Sequence, residues 1–127
     1  NKICLPASAL ESITTRQDVA FPLLFEIHPV SQVSRKTYCG VLDFTSPEGF
    51  VVLPAWVMNT LSLNDGDEVF LRSVRLQRAT FCKIQPVQYK FITLPNPKAA
   101  LETALSYHFV CLTKGETIKL QHENEEY

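Results

Sequence analysis

Glycine is scarce in this chain: four residues in 127, none adjacent to another. A phosphate-cradling loop needs clustered glycines so that backbone can wrap an anion, and that class is excluded. Long apolar runs are missing too. Phe50-Val51-Val52-Leu53 is closed at once by Pro54, far short of the ~18 residues of a membrane-spanning helix. Neither sign of charge dominates, with 12 Lys+Arg against 13 Asp+Glu. That balance argues against a dedicated nucleic-acid binder and against a polybasic membrane-surface domain. Closely spaced cysteines are also lacking. Cys4, Cys39, Cys82 and Cys111 stand far apart, so no zinc or redox Cys-x-x-Cys motif exists. Their even count permits two disulfides. Their apolar settings point instead to four reduced, mostly buried thiols in a cytosolic or nuclear protein. The opening Asn1-Lys2-Ile3-Cys4 has neither the charged region nor the apolar stretch of a signal peptide. It also lacks an initiator Met, which predicts a segment of a longer protein.

What is present is an ordinary globular composition, 46% hydrophobic and 20% charged. A chain of this length buries enough surface to fold as one domain, or as two small lobes, without disulfide or metal. Eight prolines against four glycines predict many short elements with stiff connections. Phe21–Ile27, Gly40–Phe44, Phe50–Leu53, Glu68–Val74, Ala79–Ile84 and Thr117–Gln121 read as strands. Ser8–Thr14, Ala55–Leu61 and Pro97–Tyr107 read as helices, the last with Asn96 as N-cap and Pro97 at its first position. The acidic tail Glu123–Tyr127 reads as a solvated hairpin.

Two internal echoes organise the chain. Leu5-Pro6-Ala7 leads one helix and Leu53-Pro54-Ala55 leads another, with Leu94-Pro95 as a looser version. Leu63-Asn64-Asp65-Gly66-Asp67 is matched by Leu112-Thr113-Lys114-Gly115-Glu116, a glycine turn followed in each case by alternating residues. Repeated strand–helix–strand units of this kind predict a small mixed barrel whose halves interlock about a pseudo-twofold axis. Pro86-Val87 reads as a hinge, giving a barrel lobe over 1–86 and a second α+β lobe over 87–127.

Tests for chemistry come back negative. His28, His108 and His122 share no metal-binding spacing. A Cys–His pair such as Cys39 with His28, or Cys111 with His108, is open only because such pairs assemble in space. Asp65, Asp67 and Glu68 form a tight acidic cluster but lack the hydroxyl residue of an aspartic-protease triplet. Arg72, Arg75 and Arg78 recur every third residue, as a basic stripe or as a solvated surface. Trp56 is the single tryptophan, a core anchor or an interface hot spot, with core packing favoured. Tyr89, Phe91, Tyr107 and Phe109 gather around the hinge, where core is the default and a groove between lobes the alternative. The residues by themselves describe a β-rich binding module without catalytic equipment.

Several strings carry a resemblance. Leu5–Leu10, Phe21–Phe25, Cys39–Phe44, Glu48-Gly49, Leu53–Met58, Ser73–Gln77, Ala79–Pro86, Asn96–Glu102 and Cys111–Thr113 follow one another in a familiar order. Together they resemble the N-terminal domain of the ubiquitin fusion degradation protein 1 family, the ubiquitin recognition factors of endoplasmic-reticulum-associated degradation. The resemblance implies a mainly β, α+β fold: a double-ψ β-barrel followed by a smaller, truncated α+β lobe. A strand that precedes the barrel in the family is expected to be missing here, and further strands are expected after Tyr127.

By the same resemblance the domain is no enzyme and takes no cofactor or metal. It is expected to bind ubiquitin and polyubiquitin chains and to recruit ubiquitylated clients to a hexameric AAA ATPase of the valosin-containing-protein type. That ATPase and a nuclear-protein-localisation partner are expected to bind outside these residues. The implied setting is cytoplasm and nucleus, at the endoplasmic-reticulum face, although a relocated copy serving a plastid also exists in the family. Candidate ubiquitin contacts are Tyr89, Phe91 and Tyr107 beside the hinge, and Val57 and Met58 if exposed on their short helix. A docking lobe with no ubiquitin binding of its own is the alternative.

Overall fold

The computed structural model describes residues 1–16 and 21–127. Strand β1 (Lys2–Pro6) runs into helix α1 (Ala7–Thr14), and β2 (Leu24–Pro29) and β3 (Thr37–Ser46) follow. Helix α2 (Ala55–Thr60) then leads to β4 (Val69–Val74). Beyond an irregular stretch come α3 (Tyr89–Ile92), α4 (Pro97–His108) and the hairpin strands β5 (Gln121–His122) and β6 (Glu125–Glu126). The fold is therefore mixed α+β. Its main sheet has the order β1-β3-β2-β4, with β1 parallel to β3 and the other pairs antiparallel.

Register assigns the faces. Phe25 stands opposite Cys39 and Ser73, and Ile27 opposite Thr37 and Leu71. This face, with Ile3 and Leu5 from β1, meets Val57 and Leu61 to form the main core. On the other face Glu26 stands between Tyr38 and Arg72. The carboxylate is buried yet fully partnered: Arg72 lies 3.0 Å away, Lys36 3.9 Å, and the Tyr38 hydroxyl donates at 3.2 Å. A second, smaller core gathers Phe91, Ala104 and Leu120, with Leu101, Leu105, Phe109 and Tyr127 packed around them.

Both sequence echoes have structural counterparts. Pro6 and Pro54 cap their helices with extended backbone, at φ −74° and −57°, in keeping with the fixed ring torsion that pre-sets a helix entry. The residues just ahead of the two prolines also pair with each other. Cys4 N–H donates to Val52 O and Val52 N–H to Cys4 O, each at 3.0 Å. Equivalent positions of the two Leu-Pro-Ala strings thus face one another antiparallel. The glycine turns match as well. Gly66 and Gly115 have φ of 90° and 85°, where a side chain would be strained. Each turn is closed by a backbone bond three residues long, Asp67 N–H to Asn64 O and Glu116 N–H to Thr113 O.

Caps complete the helices. The Asn96 side chain accepts from Ala99 N–H at 3.2 Å with Pro97 opening α4, as its sequence predicts. At the start of α1 the Glu48 carboxylate accepts from Ser8 N–H at 3.3 Å and Ser8 Oγ at 2.7 Å. The tail is a hairpin, with positive φ at Glu123 and Asn124 in the manner of a type I′ turn.

Several elements differ from the sequence reading. Ala79–Ile84 forms no strand and is mostly exposed, because β-forming side chains take up a strand only where a neighbour pairs with them. Phe50–Leu53 shrinks to the single Cys4–Val52 bridge. Regular pairing near Thr117–Gln121 begins only where Leu120 and Tyr127 exchange bonds. β1 and the one-turn α3 were not expected; one ends in proline and the other is too short to show a period. All four thiols are free, but only Cys39 is fully buried and Cys82 is exposed, which corrects the expectation of mostly buried thiols.

Candidate functional site

The two cores meet along a seam, and the seam holds a concave site lined by polar and aromatic groups, smaller than the cleft of about 500 Å³ that Pro29, Arg35, Leu61 and Glu68 line elsewhere. Helix α2 turns Trp56 against the main core. Phe109, just past α4, packs on the smaller core. Their rings lie 6.1 Å apart and tilted by 40°, so one aromatic pair spans both cores. Beside it opens a groove of about 210 Å³, lined by Asn1, His108, Lys119 and Glu126 as well as the two rings. Lys119 and Glu126 pair across its wall at 2.6 Å.

Backbone and small side chains stitch the seam further along. Asn1 Nδ2 donates to Cys111 O at 2.6 Å, and Gly40 N–H donates to Asn1 O at 3.0 Å. Tyr38 N–H donates to Thr113 Oγ1 at 3.3 Å, and the Thr37 and Thr113 hydroxyls meet at 3.4 Å. Gly40 marks a close approach here: a Cβ would overlap the Val110 side chain, which would have to shift to make room.

The electrostatics of the seam favour neutral groups. Burial pushes the Cys39 thiol up to about 12, with Cys111 nearby adding to the effect. Burial likewise raises Cys111 and the Glu116 carboxyl, although Asn1 and Thr37 respectively bond to them and oppose the rise. A thiol held protonated is a poor nucleophile, so the Cys111–His108 neighbourhood does not make an activated pair. Among the described residues no group of His, Cys, Asp or Glu is placed to hold a metal ion. The arrangement is suited to holding an apolar or aromatic group against Trp56 and Phe109, with polar contacts at the rim.

The expected contact residues are divided by the structure. Tyr89 at the start of α3 is 78% exposed and Tyr107 near the end of α4 is 73% exposed, so both are available to a partner. Phe91 is not: it is buried in the smaller core, edge-on to Tyr127 at 5.7 Å. Val57 is 1% exposed, and Met58 is half-buried. The expectation that the pair lies free on α2 is corrected, because a six-residue helix seated on the sheet turns Val57 inward and leaves Met58 only partly accessible. Sequence reasoning missed Asn1, Thr37, Gly40 and Thr113. Only Gly40 left a signal, since a glycine within a strand marks a close backbone approach.

Comparison with known proteins covers both parts of the molecule. Residues 1–77 match the family described as Ubiquitin fusion degradation protein UFD1, N-terminal subdomain 1, and residues 78–127 match its N-terminal subdomain 2. The chain is 41% identical over 126 residues to the human Ubiquitin recognition factor in ER-associated degradation protein 1, covering 99% of the chain and 40% of that protein. It is 40% identical over 124 residues to the Ubiquitin fusion degradation protein 1 homolog of Caenorhabditis elegans, covering 98% and 35%. Against Ubiquitin fusion degradation protein 1 of Saccharomyces cerevisiae the identity is 32% over 126 residues, covering 99% and 34%. The chain thus spans between a third and two fifths of the length of these relatives. With both N-terminal subdomains matched in order along its whole length, the chain belongs to the ubiquitin fusion degradation protein 1 family.

Proposed function

We propose that this domain is a non-enzymatic ubiquitin- and polyubiquitin-binding adaptor that delivers ubiquitylated clients to a hexameric AAA ATPase for extraction and degradation. The observation that carries the reading is the match of both subdomains, end to end, to proteins named for ubiquitin recognition. The surface supports it. Tyr89 and Tyr107 offer exposed aromatic area on the smaller lobe, and the Trp56–Phe109 groove lies at the seam beside the end of α4. Ubiquitin presents a small apolar surface, so one such contact binds weakly and a chain gains strength through multiplicity. The ATPase and the nuclear-protein-localisation partner are engaged by regions outside these residues. The work is done in cytoplasm and nucleus, at the endoplasmic-reticulum face.

The same reading extends to architecture. The Cys4–Val52 pairing of equivalent repeat positions, and the two proline-led helices, support a double-ψ barrel for the first lobe. A lobe boundary near the Pro86-Val87 hinge belongs to the same proposal, a little beyond the join of the two family matches at 77/78.

Titration of the isotope-labelled domain with mono-ubiquitin and then tetra-ubiquitin tests the function. Shifts gathered around Tyr89, Tyr107 and the seam, stronger with the chain, are expected. A well-dispersed spectrum that moves with neither ligand would remove ubiquitin binding from this domain and leave a docking lobe in its place.

A further inference from the structure

Two of the four thiols meet at the seam from opposite sides. Cys39 belongs to β3, and Cys111 to the stretch that follows α4. Contacts on either side of Cys39 set the register between the two runs. The Thr37 and Thr113 hydroxyls meet at 3.4 Å, and Tyr38 N–H donates to Thr113 Oγ1 at 3.3 Å. Gly40 abuts the Val110 side chain. Position 37 therefore goes with 113 and position 40 with 110. The runs pass in opposite directions, and 39 falls against 111. Directly opposed residues on antiparallel runs stand about 4.5–5.5 Å apart at Cα, inside the span of about 4.4–6.8 Å that a disulfide bridges.

The two thiols also share their surroundings. Cys111 is close enough to act on the Cys39 thiol, and the Glu116 carboxyl acts on both. Glu116 in turn bonds with Thr37, which lies on the same sheet face as Cys39. Both sulfurs thus turn toward one interior point. Cys39 is wholly excluded from solvent and Cys111 is half-buried. The other two thiols are placed differently: Cys4 sits against Asp43, and Cys82 is exposed.

We propose that Cys39 and Cys111 form a redox latch, closing under peroxide to a disulfide that clamps the smaller lobe onto the main sheet. The half-buried Cys111 is reached first. Its sulfur attacks one peroxide oxygen as the O–O bond breaks, leaving a sulfenic acid and one water. The Cys39 sulfur then attacks Cys111 Sγ. The S–O bond breaks, and the hydroxide leaves with the Cys39 proton as a second water. Two thiols have lost two electrons and two protons, and one peroxide has become two waters. Burial holds both thiols protonated, so closure is slow and needs sustained oxidant. A dithiol reductant reopens the latch by exchange.

The full-length protein carrying Cys82→Ser is the material, because that change removes an exposed thiol able to join two molecules. It is treated with hydrogen peroxide, alkylated and digested with trypsin. The expected product is peptide 37–72 joined to peptide 99–114, each holding one cysteine, and its loss on adding dithiothreitol. Amide exchange across 108–120 should slow about tenfold in the oxidised protein and recover with reductant. In Cys39→Ala the linked pair should vanish, and Cys111 should stop at the sulfenic acid and be captured by dimedone. Cys111→Ser should abolish both the link and the change in exchange. Oxidation of Cys111 to a sulfinic acid while Cys39 stays reduced, or a link from either to Cys4, would overturn the proposal. So would two unreacted thiols after prolonged peroxide, or a link that leaves exchange unchanged. The parent protein alone decides these outcomes if a variant fails to fold.

Discussion

The two cores of this molecule are built on different terms. The first collects seven buried residues from three strands and a helix, with Ile3, Ile27 and Cys39 wholly excluded from solvent. The second has three, Phe91, Ala104 and Leu120, none of them fully excluded. The first lobe closes around its own sheet. The smaller lobe packs one helix on a hairpin and leans on its neighbour through the Trp56–Phe109 pair and the Asn1 and Thr37 stitches. Apolar burial on this unequal scale implies that the smaller lobe draws much of its order from the seam.

Five tests put that contrast under strain. Ile27→Ala opens a cavity in the better-packed core and should cost about 3–4 kcal/mol of global stability by urea unfolding. Leu120→Ala, in the smaller core, should instead raise amide exchange in α4 and the hairpin while β2 and β3 stay protected. Equal exchange throughout would show a single cooperative unit and dissolve the contrast. Gly40→Ala drives a methyl into Val110 and should cost about 2 kcal/mol, seen as loosened exchange on the 108–113 side first. A stability identical to wild type would mean the seam is slack.

The other two are smaller. Trp56→Ala and Phe109→Ala in a double-mutant cycle should show a coupling of about 1 kcal/mol; additive effects would deny that the aromatic pair links the cores. Glu26→Gln probes the first lobe alone. Burial by itself would raise this carboxyl, but Arg72, Lys36 and the Tyr38 hydroxyl outweigh it and leave it lowered. Its contribution is therefore complete above the ordinary carboxylate range and fades as pH falls through the lowered value. The variant should lose about 1 kcal/mol at neutral pH, and the difference should vanish in acid. A gap that persists in strong acid would assign the loss to packing instead.

Local features were the legible ones. The proline-led helices, the two glycine turns, the Asn96 cap and the tail hairpin each depend on residues a few positions apart, so their chemistry is written in short strings. The parallel pairing of β1 with β3 and the whole seam depend on partners up to 110 positions away, as in Asn1 with Cys111, and no short string encodes them. Ala79–Ile84 reads as a strand because Thr, Phe and Ile favour one, but preference without a pairing neighbour leaves it irregular. Val57 misled for a related reason, since α2 is too short for its period to reveal which side faces the sheet. Tyr89 and Tyr107 were legible as candidate contacts, but their exposure was not, since core packing was the default reading for the aromatics around the hinge. Trp56 was legible as a packing residue, though not as a bridge between cores.

The stitch at Asn1 also sets an order of events. On an emerging polypeptide the first core is complete once β4 has left the ribosome, because all its members lie between Ile3 and Leu71. The bond from the Asn1 side chain to Cys111 O must wait for the last fifth of these residues. Until then the groove beside Trp56 lacks His108, Phe109, Lys119 and Glu126 from its lining. The concave face therefore depends on the residues that are made last, whereas the larger core draws only on residues made before them.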